Sequence, residues 1–197
     1  LPLTIRDLQN YKRQGRIITA LTAWDALSGA WVDASGCDMA LVGDSLAMVS
    51  LGHPTTLPVS LGAMVHHAQA VGRAIHRPLL VADLPFLSYQ CGAEQAVAAA
   101  GRFLKETPCQ AVKLEGAEPE TMAVISRLVR TGPDCDGQIL VTADLLGLTA
   151  RQPPFVKPRL QGAEMFKQAL QGWCHEQRHQ GQTAHPPKEG NPPTPDC

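Results

Sequence analysis

Short aliphatic runs alternate along this chain with longer stretches in which apolar residues recur every three or four positions. The first pattern predicts strands and the second predicts helices. Thr4, followed three residues later by Asp7, is a capping-box-like start for a helix to about residue 14. Residues 17–22 are β-branched enough for a strand. Leu27, Ala30, Trp31 and Ala34 have helical spacing within 26–35, and Gly36 ends that helix. Strands follow at 39–42, 79–82 and 111–114. Between them Ser60 can cap a helix presenting Leu61, Met64, Ala68 and Val71, and residues 93–105 form an alanine-rich helix. A further helix is expected at 118–130.

Strands that alternate with helices predict a parallel sheet covered by helices. A β/α barrel and a doubly wound open sheet both satisfy the pattern. The rhythm then breaks at Thr131-Gly132-Pro133-Asp134, after which only one more apolar run, 139–141, and one helix near 161–171 remain. Residues 172–197 hold five prolines, three histidines and almost no aliphatic side chains. They cannot bury enough apolar area to offset their ordering entropy, so this tail is expected to be disordered. The chain thus divides into a domain at 3–171 and a Pro-rich tail at 172–197.

Composition narrows the function. With 197 residues the chain has room for one sizeable core. A net charge of −1 leaves no basic surplus for phosphate neutralisation, so nucleic acid is not an expected partner. No apolar run is long enough to cross a membrane. The start is polar and amphipathic, without the pattern of a signal peptide. Six scattered cysteines contain no CxxC pair and read as free thiols of a cytoplasmic protein.

Three strands end in an acid: Val42-Gly43-Asp44, Ala82-Asp83 and Leu114-Glu115. Parallel α/β proteins bind ligands at these C-terminal strand ends. Three separate strand-end caps are one reading. The other is a shared site, in which mutual repulsion calls for a cation, and oxygen donors suit a hard ion such as Mg²⁺. Lys113 sits two residues before Glu115. Alternation along the strand sends Val112 and Leu114 to the helices and puts Lys113 and Glu115 on the other face. A lysine there needs an anion, either a neighbouring acid or a substrate. Ser45 offers a hydroxyl and an N–H beside Asp44. The long segment 46–59, with Gly52-His53-Pro54, reads as a lid. His175-Glu176-Gln177-Arg178-His179 matches the zinc-protease pattern, but it falls where the apolar periodicity has ended.

Taken in order, Val42-Gly43-Asp44-Ser45-Leu46-Ala47-Met48-Val49, Leu51-Gly52-His53, Thr56-Leu57-Pro58-Val59, Val81-Ala82-Asp83-Leu84-Pro85-Phe86 and Val112-Lys113-Leu114-Glu115-Gly116 resemble the ketopantoate hydroxymethyltransferase family. Cys135-Asp136-Gly137-Gln138-Ile139-Leu140-Val141, Asp144-Leu145-Leu146-Gly147-Leu148 and Phe155-Val156-Lys157 resemble the end of that family's barrel. The resemblance implies a TIM (β/α)₈ barrel and a cytoplasmic homo-oligomer. It implies Mg²⁺ held by Asp44, Asp83 and Glu115, and a 2-oxo acid contacted by Asp44, Ser45, Asp83 and Lys113. It further implies hydroxymethyl transfer from 5,10-methylenetetrahydrofolate to 3-methyl-2-oxobutanoate, giving 2-dehydropantoate for pantothenate synthesis.

A complete barrel needs about 250 residues. The shortfall sits after Gly132, where the family carries its fifth to seventh strands, a His-Leu-Gly segment and its proton-acceptor glutamate. No residue here inherits that role. The alternatives are an enzyme, an inactive remnant keeping only the metal and substrate half-site, and another Mg²⁺-dependent 2-oxo-acid enzyme; the 53–59 loop argues against the last. Four or five strands cannot close an eight-stranded barrel. An open sheet is expected, with its fourth strand at an edge and apolar surface such as Val42 and Val81 showing on the inner face.

Overall fold

Thr4 caps the first helix, α1 (Ile5–Arg13), through a complete capping box: its side chain accepts from the Asp7 N–H, and its own N–H donates to Asp7 Oδ2 at 2.8 Å. The computed structural model describes residues 1–116, 121, 137–140, 142–149 and 156–180. After α1 come β1 (Ile18–Thr22), α2 (Ala26–Ala34), β2 (Met39–Val42), the short α3 (Leu46–Val49), α4 (Leu61–Gly72), β3 (Leu79–Asp83), α5 (Ala93–Glu106) and β4 (Ala111–Lys113). Then follow β5 (Gly137–Leu140), α6 (Thr142–Leu145) and α7 (Gly162–Gln180). Asp25 and Ser60 cap α2 and α4 with their side chains, as the spacing of polar and apolar residues requires. The helix expected at 118–130 lies, but for Thr121, outside the described residues.

The strands form one parallel sheet in the order β4-β3-β2-β1-β5. Register is continuous: Thr22 pairs with Leu41, Val42 with Ala82, and Asp83 with Lys113. On the far side Ile18 pairs with Gly137 and Leu21 with Leu140, so the last strand meets the first. Among the described residues each edge strand, β4 and β5, has one neighbour.

Alternation sorts the side chains cleanly. Ala40, Val42, Leu80 and Ala82 face α2, α4 and α5, packing with Val32, Met64, Val71 and Phe103. Phe103 and Met64 are fully buried, each contributing about 2–3 kcal/mol of apolar burial. These crossover helices share one face of the sheet. A doubly wound fold would place them on both, so the barrel alternative is the one realised.

The opposite face is not left open. Ile18, Leu41, Leu79 and Val81 form a second cluster with Leu8 of α1, flanked by Leu3 and Tyr11. The expected exposure of Val42 and Val81 is therefore corrected. Val42 belongs to the outer, helix-covered face, and Val81 is inner but covered by α1; both are buried. Below α1 the buried Asp38 accepts from Arg16 Nη2 at 2.7 Å and from the Thr19 N–H and hydroxyl at 3.1 Å each, fixing the N-terminal end of the sheet.

At the opposite end two threonines join the beginning of the chain to its last third. The Thr142 N–H donates to Thr22 Oγ1 at 2.9 Å, and Thr142 Oγ1 donates to the Thr22 carbonyl at 2.6 Å. The final helix runs on to Gln180, past the point where the aliphatic pattern fades. Gln, Glu, Arg and Trp there still sustain helical backbone, although Met165, Phe166, Leu170 and Trp173 are exposed. The backbone of the His175–His179 motif lies on this helix; residues 181–197 lie outside the described residues.

Candidate functional site

The C-terminal ends of β2, β3 and β4 converge on a cavity of about 140 Å³. Asp44, Asp83, Lys113 and Glu115 line it, with Thr56, Leu57, Phe86 and Tyr89. Asp83 ends β3 and is buried, and Lys113 stands opposite it in register on the same inner face. Lys113 Nζ donates to Asp83 Oδ1 at 2.8 Å and to Glu115 Oε1 at 2.6 Å. The other Asp83 oxygen accepts from the Asp44 N–H at 3.1 Å. Gly43 leaves room for the turn: a Cβ there would crowd Ser45 Oγ at 3.0 Å, while meeting Asp83 Oδ2 at an ordinary 3.5 Å.

Ser45 is the one expected residue that falls outside this cavity. It faces a small recess on the other side of Gly43, with Thr22 and Trp24. The long segment after β2 behaves as a partial cover. It turns through α3, the His53 N–H donates to the Ala47 carbonyl at 2.8 Å, and Thr56 and Leu57 reach the cavity wall.

The electrostatics are those of crowded acids. Burial pushes the Asp44 carboxyl above its ordinary value, and the Glu115 charge adds to that, against Lys113 and a hydrogen bond from Thr56. Burial likewise raises Asp83, despite the Lys113 ammonium and the Asp44 N–H. Burial works against the Lys113 charge, but Asp83 and Glu115 outweigh it and hold the ammonium above its usual range. Three carboxylates thus face one cation.

Among the described residues no three acid, histidine or cysteine side chains converge on a common point, because the ammonium stands between Asp83 and Glu115. The donor set nevertheless fits a hard divalent ion: the donors are oxygens, acids outnumber cations, and burial, with the Glu115 charge second, raises the Asp44 carboxyl.

Tyr89 was not foreseen. Its hydroxyl donates to the Glu115 carbonyl at 2.9 Å and accepts from the Glu115 N–H at 3.4 Å. Only its place in the β3–α5 loop, at the ligand-binding end of the sheet, could have signalled it.

Helices on one side of a sequentially ordered parallel sheet, with an acid–lysine cluster at the strand ends, define part of a β/α-barrel enzyme fold. The chain belongs to the ketopantoate hydroxymethyltransferase family, whose sequence profile matches residues 2–133 and 129–183. The junction of the two matches is the place where the strand–helix rhythm breaks.

Two relatives are named 3-methyl-2-oxobutanoate hydroxymethyltransferase. That of Synechococcus sp. strain CC9902 is 42% identical over 270 positions, covering 97% of this chain and 98% of the relative. That of Prochlorococcus marinus strain MIT 9313 is also 42% identical, with the same coverage. An alignment of 270 positions against 197 residues leaves at least 73 positions of the relative facing a gap.

Among solved structures, phosphonopyruvate hydrolase in complex with oxalate and Mg²⁺ superposes with a TM-score of 0.51 at 17% identity, covering 75% of this chain and 56% of that one. Phosphoenolpyruvate phosphomutase from Streptomyces platensis subsp. rosaceus gives 0.50 at 16% identity, covering 71% and 53%. The chain spans about half the length of these structures, and the likeness establishes the fold.

Proposed function

We propose that this chain is a hydroxymethyltransferase-family protein that keeps the divalent-metal and 2-oxo-acid half of the site and lacks the proton-accepting half. The observation that carries this reading is the cluster of Asp44, Asp83, Lys113 and Glu115 around one cavity at the strand ends. Asp44, Asp83 and Glu115 would hold Mg²⁺, which as a Lewis acid polarises a bound carbonyl oxygen. Lys113 supplies a fixed positive charge for the substrate carboxylate. Phe86 and Leu57 give an apolar wall for a branched alkyl group, while Ser45, in the neighbouring recess, would reach the substrate only by turning its hydroxyl past Gly43.

The substrate proposed is 3-methyl-2-oxobutanoate, with 5,10-methylenetetrahydrofolate as one-carbon donor. Both are small soluble molecules, and the free Cys37, Cys91, Cys109 and Cys174 accord with a reducing cytoplasm. The split of the family match near residues 129–133 favours a half-site over a full enzyme, because the family's proton-acceptor glutamate has no counterpart in this sequence.

Calorimetric titration with 3-methyl-2-oxobutanoate in the presence of Mg²⁺, together with an assay for folate-dependent 2-dehydropantoate, tests both halves. Binding that is lost in Lys113→Ala is expected. Turnover is expected at least about 10²-fold below that of a full-length relative, the smallest usual contribution of a general base. No binding refutes the site. Full turnover refutes the half-site reading and restores the complete enzyme.

A further inference from the structure

Glu115 has an unusual hold on the fold for a residue in a site. β4 ends at Lys113, whose carbonyl accepts the last ladder bond, from the Leu84 N–H at 2.9 Å. Beyond it the chain leaves the sheet, and the Glu115 side chain is 73% exposed. Its backbone N–H and carbonyl both turn to one atom, the hydroxyl of Tyr89. The Tyr89 ring is buried in the outer core, so this hydroxyl is a fixed point.

The loop that carries Tyr89 is itself held in place. Leu87 has φ 61°, a left-handed conformation that non-glycine residues rarely adopt. Gln95 on α5 secures both sides of that turn: its Nε2 donates to the Leu87 carbonyl at 2.8 Å, and its Oε1 accepts from the Cys91 N–H at 3.0 Å. Ser88 Oγ closes the turn onto the Pro85 carbonyl at 2.6 Å.

From this geometry we infer that Tyr89 is a positioning residue: its hydroxyl replaces the missing ladder bonds past the end of β4 and sets where the Glu115 carboxylate stands, with Gln95 fixing Tyr89 in turn. The inference rests on the proposal that Glu115 is a metal ligand. Tyr89 itself touches neither metal nor substrate. A ligand on an unanchored strand end samples many positions, whereas one tied through both backbone groups is already near its bound place.

Tyr89→Phe keeps the buried ring and removes only the hydroxyl. Two measurements on the full chain are needed: amide hydrogen exchange, and Mn²⁺ affinity by titration, with Glu115→Gln as the ligand control. Exchange at the Glu115 amide should rise about 10-fold while the amides of Leu41 and Val81 keep their wild-type rates. Mn²⁺ binding should weaken about 10-fold, the usual scale for a lost outer partner of a ligand. Gln95→Met, away from the cavity, should shift both in the same direction by less.

Unchanged exchange at Glu115 overturns the inference. So does unchanged Mn²⁺ affinity in Tyr89→Phe when Glu115→Gln weakens it. If the wild type takes no Mn²⁺, the metal reading falls, and the exchange response alone decides whether Tyr89 holds Glu115.

Discussion

Asp83 and Lys113 face each other across the β3–β4 ladder, and their side chains meet at 2.8 Å on the inner face of the sheet. Asp83 is the more deeply buried of the two, at 7% side-chain exposure against 28%. Removing the lysine therefore strands a carboxylate in a poorly solvated place. Lys113→Met should cost about 3 kcal/mol of stability at neutral pH. The loss should shrink as pH falls toward 3.8, the ordinary Asp value, because the unpaired Asp83 then takes up a proton. Urea denaturation at several pH values measures this; a loss independent of pH would show that Asp83 is not the group affected.

Asp44 gives the opposite sign. Its carboxyl is raised by burial and by Glu115, so in the folded chain its charge is a penalty that is full above its folded pKa and absent below 3.8. Asp44→Asn should leave the metal-free chain at least as stable as wild type at pH 7, with any advantage fading as pH drops. The rise in melting temperature that Mn²⁺ gives the wild type should disappear in this variant. Thermal melts with and without Mn²⁺ decide it, and an undiminished Mn²⁺ effect would exclude Asp44 as a ligand.

Asp38 provides a control from the other end of the sheet. It is 2% exposed and accepts from Arg16 and from both the N–H and the hydroxyl of Thr19. Asp38→Ala should destabilise by about 2 kcal/mol, since it removes charge-assisted hydrogen bonds to a buried carboxylate. Mn²⁺ affinity of the folded fraction should be unaltered. A change in affinity would show that the two ends of the sheet are coupled.

Much of the site was legible because a strand has a period of two. Counting outward from Val112 and Leu114, which meet the helices, places Lys113 and Glu115 on the inner face, and the ladder register sets Asp83 beside Lys113. The inner-face expectation for Val42 fails because the apolar run 39–42 has no polar member to mark its faces; Met39 and Leu41 point inward and Val42 outward. Cover from α1 was missed for another reason. Its cluster with Leu79 and Val81 joins residues far apart in the sequence, and periodicity says which face of a helix is apolar but not what it meets. Tyr89 was invisible on the same ground: its contact lies 26 residues away in an aperiodic loop. Ser45 was placed correctly in the turn, but the turn aims its hydroxyl past Gly43 into the neighbouring recess.

The exposed row of Met165, Phe166, Leu170 and Trp173 on α7 bears on behaviour in solution. A continuous apolar row of this kind promotes self-association. Sedimentation velocity should show mass rising with concentration, and Leu170→Glu should reduce that rise. A single monomeric boundary across the concentration range would count against the prediction.

The pairing of β5 with β1 gives the interruption in this chain a definite shape. Because β5 keeps its register beside β1 and β4 keeps its own beside β3, the described sheet ends in two rims whose strands run in the same direction. A separate polypeptide made of the corresponding strand–helix units of a relative would meet both rims in the sense a right-handed crossover demands. On the half-site reading proposed above, adding such a piece in trans is a direct test, because restored hydroxymethyl transfer would trace the lost activity to the proton-accepting part.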